Sequence, residues 1–447
     1  MPSSPNRRAI RWLQGELPAL VSSGAISAEN ARAIERYYEA NAAPARNVAF
    51  VLLATIGSAL IAAGVVLLIA HNWDEFSRPV RSVFAFIPLI ASQLLTAFVL
   101  LHRDGSKPWR ESAAIFNVAG IATAISLVSQ TYQIHGSLAN FILVWLLLGL
   151  PLIYLLRTTF GAVAYALGAV VWLVAREKLR GFDPTFFWLL LTAVVPYLAR
   201  VYRRDRDSGE TTALAIVVAT AVAFGLGFTA DFTGANLALL AFGGLFALVY
   251  ISGIELFPSS NSDRLHPLAL LGGLAIGVMT IVLTFEDVWR RRSAPHWPVD
   301  TSHAIGFAIE LALPLGAIAL AVWSLLRGRA RFSVLAAAFP ILVVVGWIIT
   351  ALCEYPYAMP ASTSCDVAAA ILFNVYAFGL GLELIGRGLR AKSTTRANFG
   401  LLLIAALAIA RFVDSDVSFL IRALGFIVIG VGFLFTNFLL LKRRSTA

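Results

Sequence analysis

The chain has 447 residues, of which 59% are hydrophobic and only 13% charged, and it carries a formal net charge of +10 at pH 7. Soluble domains are about half apolar and about a quarter charged, so this composition excludes a soluble globular protein. The basic balance is expected to anchor loops against anionic lipid headgroups, and no nucleic-acid motif accompanies it.

Residues 1–46 come first. They lack the apolar core of a cleavable signal peptide, so the first span is expected to be an uncleaved anchor. Trp12, Leu13, Leu17, Leu20 and Val21 form an apolar stripe at roughly helical spacing, interrupted by Gly15 and Pro18. Gly24 suits a helix stop and Ser27 an N-cap, with Glu29 near the positive end of the dipole. Ala31, Ile34, Tyr37 and Tyr38 continue a second amphipathic helix, which Pro44 ends. The segment reads as a short cytoplasmic helical hairpin. It either lies on the lipid interface or docks a protein partner.

A hydrocarbon core about 30 Å thick is crossed by roughly 20 apolar residues of helix. Fourteen stretches of that order follow between Asn47 and Leu441. They predict helices over 47–70, 80–101, 111–134, 138–156, 159–175, 182–199, 211–230, 234–254, 266–285, 303–326, 332–352, 365–386, 397–413 and 417–440. Each must be helical, because lipid offers the backbone no hydrogen-bond partner. The runs are continuously apolar rather than alternating, which excludes a β-barrel. The expected fold is all-α: a transmembrane bundle of about 14 spans over 47–441, ending in a basic tail, 442–447.

Orientation follows from Lys and Arg. With the N-terminus in the cytoplasm, alternation places 25 of the 35 cations on the cytoplasmic side. Positive charge is held inside during insertion, so both termini are expected in the cytoplasm. Arg290, Arg291 and Arg292 dissent from this pattern. Cys353 and Cys365, the chain's two cysteines, share one outer loop, CEYPYAMPASTSC, and are candidates for a disulfide.

Polar groups inside spans are costly and mark either helix contacts or a wet cavity. Thr123, Ser126, Gln130 and Gln133 fall within about an 80° stripe of the third span. That stripe forms interhelical hydrogen bonds or lines a cavity near the outer face. Glu310 lies about 10 Å and Arg422 about 7–8 Å from the outer ends of their spans. A Glu310–Arg422 pair would neutralise both, although Asp414 and Asp416 compete for Arg422. Arg411 borders the same end, and these residues together are the cavity candidates. Asn117 and Asn374 are further intramembrane polar groups, and Glu383 has the i,i+4 spacing for an ion pair with Arg387.

His71, Asn72, Trp73 and Asp74 form an outer-face polar cluster that His135 could join. It either holds a divalent cation, of a kind the pattern does not specify, or caps helix ends. No HExxH, CxxC or P-loop occurs, and no nucleophile elbow or dinucleotide fingerprint. No cofactor is expected.

Two blocks carry a family resemblance. One is the Trp-containing tail, a first span with Gly57 and Gly64, and His71-Asn72-Trp73-Asp74. The other is Ser129-Gln130-Thr131-Tyr132-Gln133-Ile134-His135-Gly136. Together these resemble the bacterial family called domain of unknown function 2157, over roughly the first third of the chain. Arg411-Phe412-Val413-Asp414, followed by an apolar helix with a basic end, resembles larger members. The resemblance implies a multi-pass protein of the bacterial inner membrane and supplies no activity.

Three functions remain open. The first is a carrier or flippase for a small or lipid-linked solute, with a polar cavity near the outer face. The second is a non-transporting assembly or envelope component that docks a partner through residues 1–46. The third, ranked last, is a membrane enzyme acting on a lipid-linked substrate.

Overall fold

A computed structural model describes residues 7–40, 75–177, 183–233, 237–257, 265–290, 301–328, 331–353, 364–391 and 393–414, with a few isolated positions beyond. Among these residues there is no strand. The chain divides into two compact units, Met1–Arg81 and Ser82–Ala447.

In the first unit, α1 (Arg7–Ser22) and α2 (Ala28–Ala40) pack on each other. Gly24, at φ +73°, takes the left-handed turn that ends α1. Ser27 accepts a hydrogen bond from the Asn30 N–H at 3.1 Å and starts α2. Among the described side chains of this unit, Leu17 and Ala31 are the buried apolar ones. Residues 41–74 lie outside the described part of the chain, and the first expected span, 47–70, lies there with them.

The second unit is a bundle whose first helix, α3 (Arg78–His102), begins just before the boundary. It continues with α4 (Lys107–Tyr132), α5 (Leu138–Leu155), α6 (Thr159–Glu177), α7 (Thr185–Thr192), α8 (Val195–Arg204), α9 (Gly209–Thr233) and α10 (Ala238–Glu255). After these come α11 (Pro267–Leu283), α12 (Glu286–Arg290), α13 (Thr301–Leu326), α14 (Val334–Ala337), α15 (Phe339–Cys353), α16 (Ser364–Arg390) and α17 (Thr394–Asp414).

Ten helical segments among the described residues are long and apolar enough to span a membrane, with α7 and α8 counted together. α11 and α15 are apolar but shorter. At 17 residues, α11 reaches about 25 Å, less than a full hydrocarbon core. The first expected span, 47–70, lies outside the described residues and the last, 417–440, largely so, and of the other twelve ten are full-length. Many large apolar side chains face outward, Leu101 at 78% and Leu326 at 83% exposure. In lipid such exposure carries no penalty.

Two expected spans are broken, both just before a proline. The stretch 182–199 separates into α7 and α8, with Pro196 in the first turn of α8. The stretch 332–352 separates into the single turn α14 and then α15, which opens Phe339-Pro340. Proline has no N–H to donate to the preceding turn and disfavours helical geometry in the residue before it. Ser333 caps α14 by accepting from the Ala336 N–H at 3.1 Å.

Aromatic and aliphatic cores hold the helices. One joins α5 to α9 around Trp172, Phe187 and Tyr197. Another joins α10 to α17 around Tyr250, Phe339, Phe373 and Tyr376. In the second, α10 and α11 touch backbone to backbone. A Cβ at Gly272 would lie 2.4 Å from the Tyr250 nitrogen. Gly244 approaches α13 the same way, 2.3 Å from the Pro314 nitrogen. Small residues permit this close packing where no hydrophobic drive exists between helices in lipid.

Polar contacts sort the turns to two ends. At one end, Asp104 pairs with Arg157, and Lys107 with Glu210. The Tyr202 hydroxyl donates to the Leu256 carbonyl (2.8 Å), Thr212 Oγ1 and His266 Nε2 lie 2.9 Å apart, and Arg387 donates to the Arg331 carbonyl (2.7 Å). Glu383 accepts from the Ser333 hydroxyl and pairs with Arg387 at 3.4 Å. This is the basic end. At the opposite end, Ser82 Oγ and Tyr132 Oη are 2.9 Å apart, and Arg411 donates to Thr284 Oγ1 at 3.3 Å.

Gly272→Ala is expected to cost about 1–3 kcal/mol through overpacking, read as a lower melting temperature of the purified protein in detergent. Gly273→Ala, whose new methyl would lie 3.5 Å from the Tyr250 ring, should be near neutral. Equal melting temperatures for the two variants would contradict the close packing of α10 on α11.

Candidate functional site

At the end opposite the basic one, α3, α4 and α5 enclose a groove of about 520 Å³. It starts from a short joint. α4 stops at Tyr132, and Gln133 takes φ 52° and ψ 40°. The Ile134 N–H then reaches back to the Ser129 carbonyl at 2.9 Å, closing the helix terminus. Ser129 Oγ donates to the Ile134 carbonyl at 2.9 Å. Ser137 opens α5 as its N-cap, accepting from the Asn140 N–H at 3.2 Å. The stretch Ser129–Ser137 is thus a built corner between two antiparallel helices.

From this corner the groove runs along α4 as far as Ile121. Those 11 residues below Tyr132 span about 16 Å, close to half the thickness of a hydrocarbon core. The walls are Phe86, Leu89, Ile125, Val128, Val144 and Leu148. Phe86, Val144 and Leu148 are 45%, 45% and 53% exposed, so the groove opens sideways. Ser129, Ser137 and Asn140 make its mouth polar. Deeper in, Gln93 on α3 is part of its lining.

Outside the groove's lining, a buried polar stitch ties α4 to α3. Asn117, fully buried, donates to Thr96 Oγ1 at 3.0 Å, and Thr96 donates to the Ser92 carbonyl at 2.9 Å. Asn117 Oδ1 has no hydrogen-bond partner among the described residues. Gly120 lets α3 come close here, its Cβ position lying 3.0 Å from the Pro88 carbonyl oxygen. Trp145 donates to the Val118 carbonyl at 2.8 Å and fixes α5 to α4.

The residues singled out from the sequence fall in separate places. Gln130, Gln133 and His135 are exposed on the corner that forms the mouth, yet none lines the groove. Gln133 also leaves the expected stripe, because its left-handed backbone ends the helix one residue earlier. Glu310 is 1% exposed on α13 and belongs to the other part of the bundle. The Arg411 guanidinium lies 4.6 Å from the Phe285 ring centroid, beside Thr284. Asn374 donates to the Ala370 carbonyl at 2.8 Å and to the Thr284 carbonyl at 3.3 Å. Cys365 is disulfide-bonded, while the Cys353 side chain lies outside the described residues. Arg422, Asp416, His71, Asn72, Trp73, Asp74 and the side chain of Asp414 lie outside them too, and with them the metal reading of the outer cluster. Gln93 went unremarked in the sequence, although an amide in the middle of the apolar run 80–101 was its signal.

Long apolar helices, an outward-facing apolar surface and polar ends define a polytopic α-helical membrane protein. Residues 18–162 match the model of the family described as Predicted membrane protein (DUF2157). That stretch takes in the end of α1, all of α2 to α5, and every residue lining the groove. No curated protein and no solved structure matches the chain.

Proposed function

We propose that this protein is a carrier or flippase for an amphipathic, lipid-linked solute, and that the solute's chain lies in the groove between α3, α4 and α5. The observation that carries the reading is the groove's form: apolar, open sideways, half a bilayer deep and polar at its mouth. Its volume suits a small-molecule site, and a lateral opening admits a chain directly from lipid. The charge asymmetry favours a cytoplasmic basic end, with both termini inside. The mouth then faces the outer side of a bacterial inner membrane. Gln130, Gln133 and His135 stand beside the mouth, where a polar headgroup would pass.

We further propose that Cys353 is the partner of Cys365, which makes the loop between them a closed cap on the outer side. Reductant is expected to slow the unfolded chain on a denaturing gel and to expose two alkylatable thiols. Two reactive thiols without reductant would overturn this. Buried Glu310 is proposed to pair with Arg422, with Asp414 and Asp416 as the rival partners. Glu310→Gln should lower the yield of folded protein, and adding Arg422→Gln should restore part of it. Additive losses would favour the rivals.

For the groove itself, a phospholipid with a photoreactive acyl chain should label the 121–148 stretch of the reconstituted protein. Ala124→Trp, which fills the groove, should reduce labelling at least ~fivefold, as expected for about 1 kcal/mol of lost binding. In proteoliposomes the same variant should slow transfer of a fluorescent phospholipid between leaflets. Labelling and transfer that match the unaltered protein would sink the proposal.

A further inference from the structure

At the basic end, a second recess of about 290 Å³ sits among the α3–α4 turn, the α5–α6 turn, α8 and the start of α9. Five cations line it: Lys107, Arg110, Arg157, Arg200 and Arg204. Asp205 and Glu210 are the carboxylates in the wall. Two of the cations are neutralised. Lys107 pairs with Glu210, and Arg157 with Asp104, whose carboxyl that hydrogen bond holds below the usual range.

The other three make no direct ion pair, although Arg110 and Arg204 are near enough to Asp104 and Glu210 to help hold those carboxyls below their usual range. No carboxylate lies within ion-pairing distance of Arg110, Arg200 or Arg204 among the described residues. Arg110 donates to the Asp104 carbonyl, and its Nε is buried with no hydrogen-bond partner among the described residues. The Arg200 guanidinium lies 6.0 Å from the Tyr154 ring centroid, near the limit of a cation–π contact. Asp205 is engaged locally, its Oδ1 accepting the Asp207 N–H at 3.1 Å.

Like charges gathered in a recess repel one another unless an anion joins them. Guanidinium groups match phosphate best, with planar paired donors that cannot lose their charge. We propose that this recess is a binding site for a phosphate-bearing anion, held by Arg110, Arg200 and Arg204. The chemistry is that of a phosphate ester or diphosphate, either free in solution or on the headgroup of an anionic lipid. The recess shares no lining residue with the groove, so the two proposals stand or fall separately.

The test uses the full-length purified protein in neutral detergent–phosphatidylcholine micelles. Inorganic pyrophosphate is added against sodium chloride of equal ionic strength. In parallel, phosphatidylglycerol replaces part of the phosphatidylcholine. A rise in melting temperature with pyrophosphate supports a site open to soluble phosphate. A rise with phosphatidylglycerol alone supports a headgroup site. In either case Arg110→Gln/Arg204→Gln should weaken the response about tenfold or more, since charge-assisted hydrogen bonds are among the strong ones. Arg204→Lys, which keeps the charge but loses the fork, should fall between the two. If the double variant fails to fold, Arg200→Gln, on an exposed side chain, takes its place. No rise with either probe beyond the chloride control, or an undiminished rise in the folded variants, would overturn the site.

Discussion

Hydrocarbon gives a peptide group nothing to bond with, so every helix interruption at membrane depth must be supplied with partners by the protein itself. Several corners among the described residues show how the protein supplies them. Where α4 ends, the Ile134 N–H and the Ser129 hydroxyl close the terminus upon itself. Where α6 begins, the carboxylate of Glu111 accepts the N–H groups of Thr159 and Phe160 at 2.9 and 3.0 Å and the Thr158 hydroxyl. An acid at that position also complements the positive end of the helix dipole. Ser333 holds its own short turn with one oxygen and meets Glu383 and Tyr250 through the same residue. These side chains determine where helices can stop, and therefore where cavities can open.

The two cavities follow from that constraint with opposite character. The groove lies against helix faces, so its walls are the apolar residues that lipid selects, with a few hydroxyls and amides where the helix ends come close. The basic recess lies among turns, where water and headgroups tolerate charge, and arginines from three separate elements meet there. One suits a chain and the other an anion. The helices α4 and α5 contribute to the groove directly, and α4 also carries Lys107 and Arg110 into the recess at its other end.

Helix positions were readable in the sequence because continuous hydropathy and the need for internal hydrogen bonds leave no other fold. The breaks before Pro196 and Pro340 were not, since an apolar run scores alike whether it is one helix or two. Glu383 and Arg387 could be paired from spacing alone, because both sit on one helix. Gln130 and Gln133 had the right spacing for a stripe, but the left-handed residue at the helix end moved one of them off it. Arg110, Arg157 and Arg200 belong to three different cytoplasmic segments in the linear count, and each alone looks like an anchor. Their convergence is a property of tertiary packing, which the linear order of one sequence does not display.

Near Gly120, α3 and α4 are in contact through backbone atoms. At their far ends the same two helices are joined by the full length of a tyrosine, its hydroxyl meeting Ser82 across 2.9 Å. The phenol ring of Tyr132 therefore acts as a strut between two diverging rods that touch at a vertex. The reach of one phenol thus links two helix ends that backbone contact near Gly120 does not join, so a shorter side chain at that position would leave them without this tie.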